Sequence, residues 1–211
     1  MMLSKKRYSV ILSVAIISCL TGCQFTEQQQ AEFNPEKAAF ARLKLGLGYL
    51  VQADVDDSAE NIKRAHYNLA LANQYSPNNP NIMLGMALFD QRVGEYDEAD
   101  MIYKNITKME PNNGLYFNHY GAFLCARDQY AEAKKQFQHA IKLNNPIWKI
   151  NGLEQLGYCA IQNNDKAEAD QTFKQLFRYD QTARDRVSKS AKDYRQRGAI
   201  YVADYLDNIS K

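Results

Sequence analysis

The chain has 211 residues, with 26 Lys and Arg against 24 Asp and Glu and a 45% hydrophobic share. That is enough for one core-forming domain or one short repeat array, and too little for a multidomain enzyme. Gly 10 and Pro 5 amount to about half of average usage, which excludes elastic, collagenous and wholly disordered chains. The excess of positive charge comes from Lys5, Lys6 and Arg7; from Cys23 onward 23 basic residues face 24 acidic ones. No basic stripe is left for a phosphate backbone, so nucleic acid is not an expected partner.

Lys5, Lys6 and Arg7 precede the apolar run Val10 to Leu20. The run is too short to cross a hydrocarbon core of about 30 Å as a helix and reads as the apolar region of a secretory signal. It closes on Leu20, Thr21, Gly22 and Cys23, which resembles the lipobox of bacterial lipoproteins. The resemblance implies that residues 1–22 are removed and that the Cys23 sulfur carries a diacylglyceryl group. Gln24 in place of Asp implies an outer-membrane, lipid-anchored protein facing the periplasm. An ordinary cleaved signal with a nearby Cys is the alternative. Cys19 lies in the apolar run and leaves with it. Acyl chains contribute about 0.8 kcal/mol per buried CH₂, so several on one terminus make a stable anchor. Residues 23–34 contain Gln28, Gln29 and Gln30 and lack an apolar period; they read as a lipidated tether.

From residue 35 the sequence resembles itself. Ala65, Ala99, Ala133, Ala169 and Ala203 recur at a step close to 34, and Leu69, Tyr103, Phe137, Phe173 and Asp207 follow them by four. Upstream of these stand Gly46, Ala87, Gly121, Gly157 and Ala191, and Pro77, Pro111 and Pro146 punctuate the same ruler. Fixed periods of this length mark stacked supersecondary units. The pattern resembles the tetratricopeptide repeat (TPR): a small residue in helix A, Ala-x-x-x-aromatic in helix B, then Pro. It predicts an all-α, right-handed superhelical solenoid of about five helix-turn-helix repeats over 35–211, with copies near 36–77, 78–111, 112–146, 147–181 and 182–211.

In the third copy Phe117, Tyr120, Gly121 and Leu124 share one helical face, and Ala133, Phe137 and Ala140 share the facing one. Gly121 and Ala133 are small because paired helices approach to about 8–10 Å. Repeat 1 carries seven extra residues around Asp54, Asp56 and Asp57, about two helical turns. Repeat 2 has Asp90 where a Tyr is expected, beside Phe89. Repeat 5 is the most polar, as a terminal cap facing water should be.

The residues offer little chemistry. His66, His119 and His139 fall at unrelated spacings, and the chain has no Gly-rich phosphate loop, no GxSxG and no HExxH. Asp97, Glu98, Glu168 and Asp170 read as solvated helix surface. No catalytic, cofactor or metal site is expected, and the chain reads as a non-enzyme. Cys125 and Cys159 lie 34 residues apart in the A helices of successive repeats, which stacking sets side by side. In an oxidising compartment they would form a disulfide; two buried thiols are the alternative.

The stretches Asn118 to Cys125, Leu153 to Ala160 and Ala41 to Leu50 look like the type IV pilus biogenesis lipoproteins of the PilF/PilW type. The resemblance covers nearly the whole chain. It implies a pilotin that helps secretin subunits reach the outer membrane and multimerise, or that stabilises pili, and it matches Cys125 and Cys159 to the family's paired cysteines. The departures are the insertion in repeat 1 and five repeats where members often have six. The expected partners are secretin subunits or other pilus machinery. The A helices of such an array line its concave side, which predicts a groove from Phe40, Leu43, Leu47, Leu50, Leu84 and Leu88. Asn81 and Asn118 are expected beyond it, able to donate to and accept from a peptide backbone; Asn151, Glu154, Lys192 and Arg195 continue the inward polar row. Packing of repeat 1 on repeat 2 is the other use for the leucines. A general periplasmic TPR scaffold for envelope or peptidoglycan assembly is the alternative function.

Overall fold

A side-chain oxygen at the first N–H groups fixes where several helices begin, because those groups have no partner inside the helix. Asn79, Asn113 and Asn145 each accept from an N–H two residues on, and Pro80 and Pro146 follow directly with φ already suited to the first turn. Ser58 and Asp165 accept at the third position on. At the other end, Gly94 takes φ +89° and closes its helix in the left-handed region that a side chain disfavours.

The computed structural model describes residues 33–211. The expected signal segment, the lipidation site Cys23 and all but the last two residues of the tether lie outside the described residues. Ten helices and no strand are present among the described residues. They are α1 (Pro35–Asp56), α2 (Ala59–Tyr75), α3 (Pro80–Val93), α4 (Tyr96–Met109), α5 (Gly114–Ala126), α6 (Tyr130–Lys142), α7 (Pro146–Gln162), α8 (Lys166–Tyr179), α9 (Ala183–Gln196) and α10 (Ile200–Ile209). Consecutive helices pair as five hairpins, with α1 against α3 and α5 against α7 as neighbouring A helices. No described helix is long and apolar enough to cross a membrane.

The recurring alanines are the inner contact of each hairpin. Ala65, Ala99, Ala133, Ala169 and Ala203 are all fully buried, as are Leu69, Tyr103, Phe137 and Phe173 four residues on. Repeat 5 departs from the expected spacing: Leu206, not Asp207, enters the core, because Asp207 turns outward to meet Arg195. In repeat 2 Phe89 takes the buried place beside Asp90 and stacks on His66. The seven extra residues of repeat 1 lengthen the hairpin: α1 has 22 residues and α2 has 17. Arg92 of α3 ties down the resulting turn by pairing with Asp54 and Asp57.

Candidate partner-binding surfaces

The expected groove divides along α1 according to helical angle. Leu43 and Leu50 are each 7% exposed and pack in the seam between the first two repeats, while Leu84 of α3, 8% exposed, packs in the core that repeat 2 shares with repeat 3; Leu43 and Leu84 are not free to receive a partner. Gly85 makes room for Leu43, since a Cβ there would meet Leu43 Cδ1 at 2.6 Å. Leu47 lies about 40° round the helix from Leu43 and about 60° from Leu50, at 100° per residue, and is half-buried at the surface with Leu88. A trough of about 570 Å³ runs there between α1 and α3, floored by Leu47, Leu50 and Leu88 and closed by Asp54, Gln91 and Arg92. Val51 extends it at 65% exposure, and Phe40 stands on the same helix at 39%. Sequence reasoning missed Val51, although its place four residues after Leu47 puts it on the same stripe.

Both expected asparagines bond across neighbouring A helices, Asn118 from a buried place and Asn81 from an exposed one. Asn118 is 7% exposed, and its Nδ2 donates to the Trp148 carbonyl across α5 and α7 at 2.9 Å. Its Oδ1 is buried with no hydrogen-bond partner, 3.0 Å from where a Gly152 Cβ would stand. Asn81 is exposed, and its Oδ1 accepts from the Tyr116 hydroxyl at 3.1 Å, linking α3 to α5. Glu154 pairs with Arg186, and Arg195 with Asp204 and Asp207, so those charges also tie helices together.

Cys125 of α5 and Cys159 of α7 are disulfide-bonded, with Cα atoms 6.0 Å apart. The same pair of repeats is joined by Tyr130 donating to Asp165 at 2.9 Å and by Lys134 paired with Glu168 at 2.8 Å. The histidines are packed or partnered: His139 stacks on Phe117 and contacts the Pro111 carbonyl, and burial pushes His119 below its ordinary value. The described residues bring together no cluster of three or more His, Cys, Asp or Glu that could hold a metal ion.

The tetratricopeptide repeat family model matches residues 151–182, the α7/α8 hairpin. The array is a TPR solenoid. Among curated relatives, an uncharacterised protein of Haemophilus influenzae is 26% identical over 84% of this chain and 92% of its own length. The type IV pilus assembly protein PilF of Pseudomonas aeruginosa is 25% identical over 89% of this chain and 73% of its own length. The solved structure of Pseudomonas aeruginosa PilF superposes with a TM-score of 0.63 at 22% identity, covering 84% of this chain and 77% of that one. PilW, a type IV pilus biogenesis factor, gives 0.61 at 19% over 82% and 76%. The chain is thus a TPR-repeat protein with structural and weak sequence similarity to these pilus factors.

Proposed function

We propose that this protein is a non-enzymatic assembly factor of type IV pilus biogenesis, anchored in the outer membrane through lipid on Cys23, and that it binds secretin subunits to promote their localisation and multimerisation. The observation that carries the reading is the sequence likeness to PilF along 89% of the chain. The trough between α1 and α3 supplies the means. Its apolar floor of Leu47, Leu50 and Leu88 with exposed Val51 suits the apolar face of a client segment, and the open side leaves binding reversible. Area buried in so small a trough gives modest affinity once the ordering of the client is subtracted, which an escort needs in order to release its cargo.

The test is complementation of a deletion strain. Wild-type protein restores secretin multimers that resist detergent, while Leu47→Asp with Leu88→Asp does not, although the variant accumulates to the same level. Unchanged multimers in that variant would refute the trough. Cys23→Ser should move the protein from the outer-membrane fraction to the soluble periplasm, and retention in the membrane would refute the anchor.

A further inference from the structure

From Cys23 onward the charges nearly balance, yet the hairpins sort them by edge. The ends of the B helices and the starts of the A helices share one edge of the array: Lys149 of α7 lies over the Tyr179 ring of α8, Arg184 of α9 lies over Phe177 of α8, and His139 of α6 contacts the Pro111 carbonyl just before α5. Lys108 of α4, Lys142 of α6 and Arg178 of α8 each follow a recurring alanine by nine residues, so they line up along that edge, with Lys174 beside them. All four are exposed, and none is paired with a carboxylate. The acids on this edge are Glu36, offset by Lys37 next to it, Glu110, Asp185, and Asp180, which is already paired with Arg186.

Cations in a last turn complement the helix dipole, which accounts for Lys108, Lys142 and Arg178. The dipole does not account for Lys149 and Arg184, which stand at the starts of α7 and α9, where it disfavours a cation. Nor does it account for the apolar side chains among them: Met109, Ile147 and Tyr179 are 42%, 67% and 44% exposed on the same edge. Cations mixed with exposed apolar and tyrosyl side chains suit a bilayer surface. There the headgroup phosphates meet the ammonium and guanidinium groups while the apolar tips enter the boundary beneath.

The chain itself enters the array at this edge. α1 runs parallel to α3, since Asp54 near its end pairs with Arg92 near the end of α3, so Pro35 starts beside the other A-helix starts. Residues 24–34 reach at most about 40 Å from Cys23. We propose that this basic edge docks on the anionic phospholipid surface that holds the acyl chains of Cys23, and that the array stands on the membrane by that edge. The inference takes its membrane from the anchor reading. A negative leaflet attracts cations held within a Debye length of it, and a basic patch adds to the hold of an acyl anchor. The Asp54 and Arg92 end of the trough belongs to the opposite edge, so docking leaves it open to a client.

The test uses the chain from residue 23 with Cys23→Ser, which carries no lipid, floated on a density gradient at low ionic strength. The vesicles are phosphatidylcholine alone or phosphatidylcholine with phosphatidylglycerol. The chain should float with the phosphatidylglycerol vesicles only, and should be released at about 1 M salt, where the screening length is about 3 Å. Lys142→Gln with Arg178→Gln should weaken binding at least about fivefold. Lys166→Gln with Arg197→Gln removes the same charge from the opposite edge and should change binding less than about twofold. None of these four side chains makes an ion pair, so melting temperatures of both variants should stay close to that of the parent. Equal losses in the two variants, equal binding to both kinds of vesicle, or binding to neither, as an acidic protein partner would give, overturns the proposal. Fractionation of membranes washed at about 1 M salt reads the lipid alone, so an anchor that fails there leaves the vesicle result for the edge standing.

Discussion

Gly157 lies against the ring of Phe173: a Cβ at Gly157 would stand 2.6 Å from Phe173 Cζ, and Gly121 repeats the relation with Phe137 at 2.7 Å. Both rings are fully buried, so they have no room to withdraw. Gly157→Ala and Gly121→Ala gain about 1 kcal/mol of helix propensity but overpack the hairpin, at a cost of about 1–3 kcal/mol. The expected net effect is destabilisation. Gly48 is the control, since it is helical and exposed with nothing within 4 Å of its Cβ position; Gly48→Ala should stabilise by about 0.5–1 kcal/mol. Urea midpoints at unchanged slope decide the signs.

Reduction of the Cys125–Cys159 bond, or Cys125→Ala with Cys159→Ala, releases a loop spanning 34 residues of sequence separation. In the chain-entropy account that closure contributes about 3–4 kcal/mol. The cross-linked repeats also share Tyr130 with Asp165 and Lys134 with Glu168, so the fold should persist after reduction while the urea midpoint falls. An unchanged midpoint with and without reductant would show that the bond constrains nothing in the unfolded chain.

The pH dependence of stability separates into two windows. Burial holds His119 below its ordinary 6.5, so as pH falls below that value the unfolded chain takes up a proton that the folded chain refuses. Stability is therefore fully present above about 6.5 and declines as pH falls below it. Asp165 is held low by the Glu168 N–H and the Tyr130 hydroxyl, and Asp180 by Thr182 and Arg186. Their contribution is present above the ordinary carboxylate value near 4 and is lost only below it. Melting temperature should drop between pH 7 and pH 5, and His119→Gln should flatten that slope without moving the acid limb below pH 4.

The repeat architecture was legible because it rests on residue size at fixed spacing: the alanines and the large side chains four positions on all lie in the core, apart from Asp207. The roles of the polar residues were not legible. Asn118 and Asn81 are of a type that serves a peptide backbone equally well inside or outside the protein, and only the approach of Trp148 and Tyr116 decides between them. The groove leucines were half legible. Leu43 and Leu47 differ by one turn of sequence, yet about 40° of rotation carries one into a seam and leaves the other at the surface. That angle depends on where α3 packs, and Gly85, from another repeat, makes room there for Leu43.

That division of α1 can be measured. Leu43 is buried against Gly85 and Leu69, so Leu43→Ala removes a core side chain and should cost about 2–5 kcal/mol. Leu47 is half-buried and Val51 is 65% exposed, so Leu47→Ala with Val51→Ala exchanges little buried area and should cost under about 1.5 kcal/mol. If the trough takes a client, the order reverses for function: the Leu47 and Val51 variant loses secretin multimers at near-normal stability, whereas Leu43→Ala loses them only in step with its own unfolding. Comparing multimer yield with urea midpoint for both variants tells the two effects apart. Equal losses per unit of stability would mean that α1 acts only as a structural cap on repeat 2.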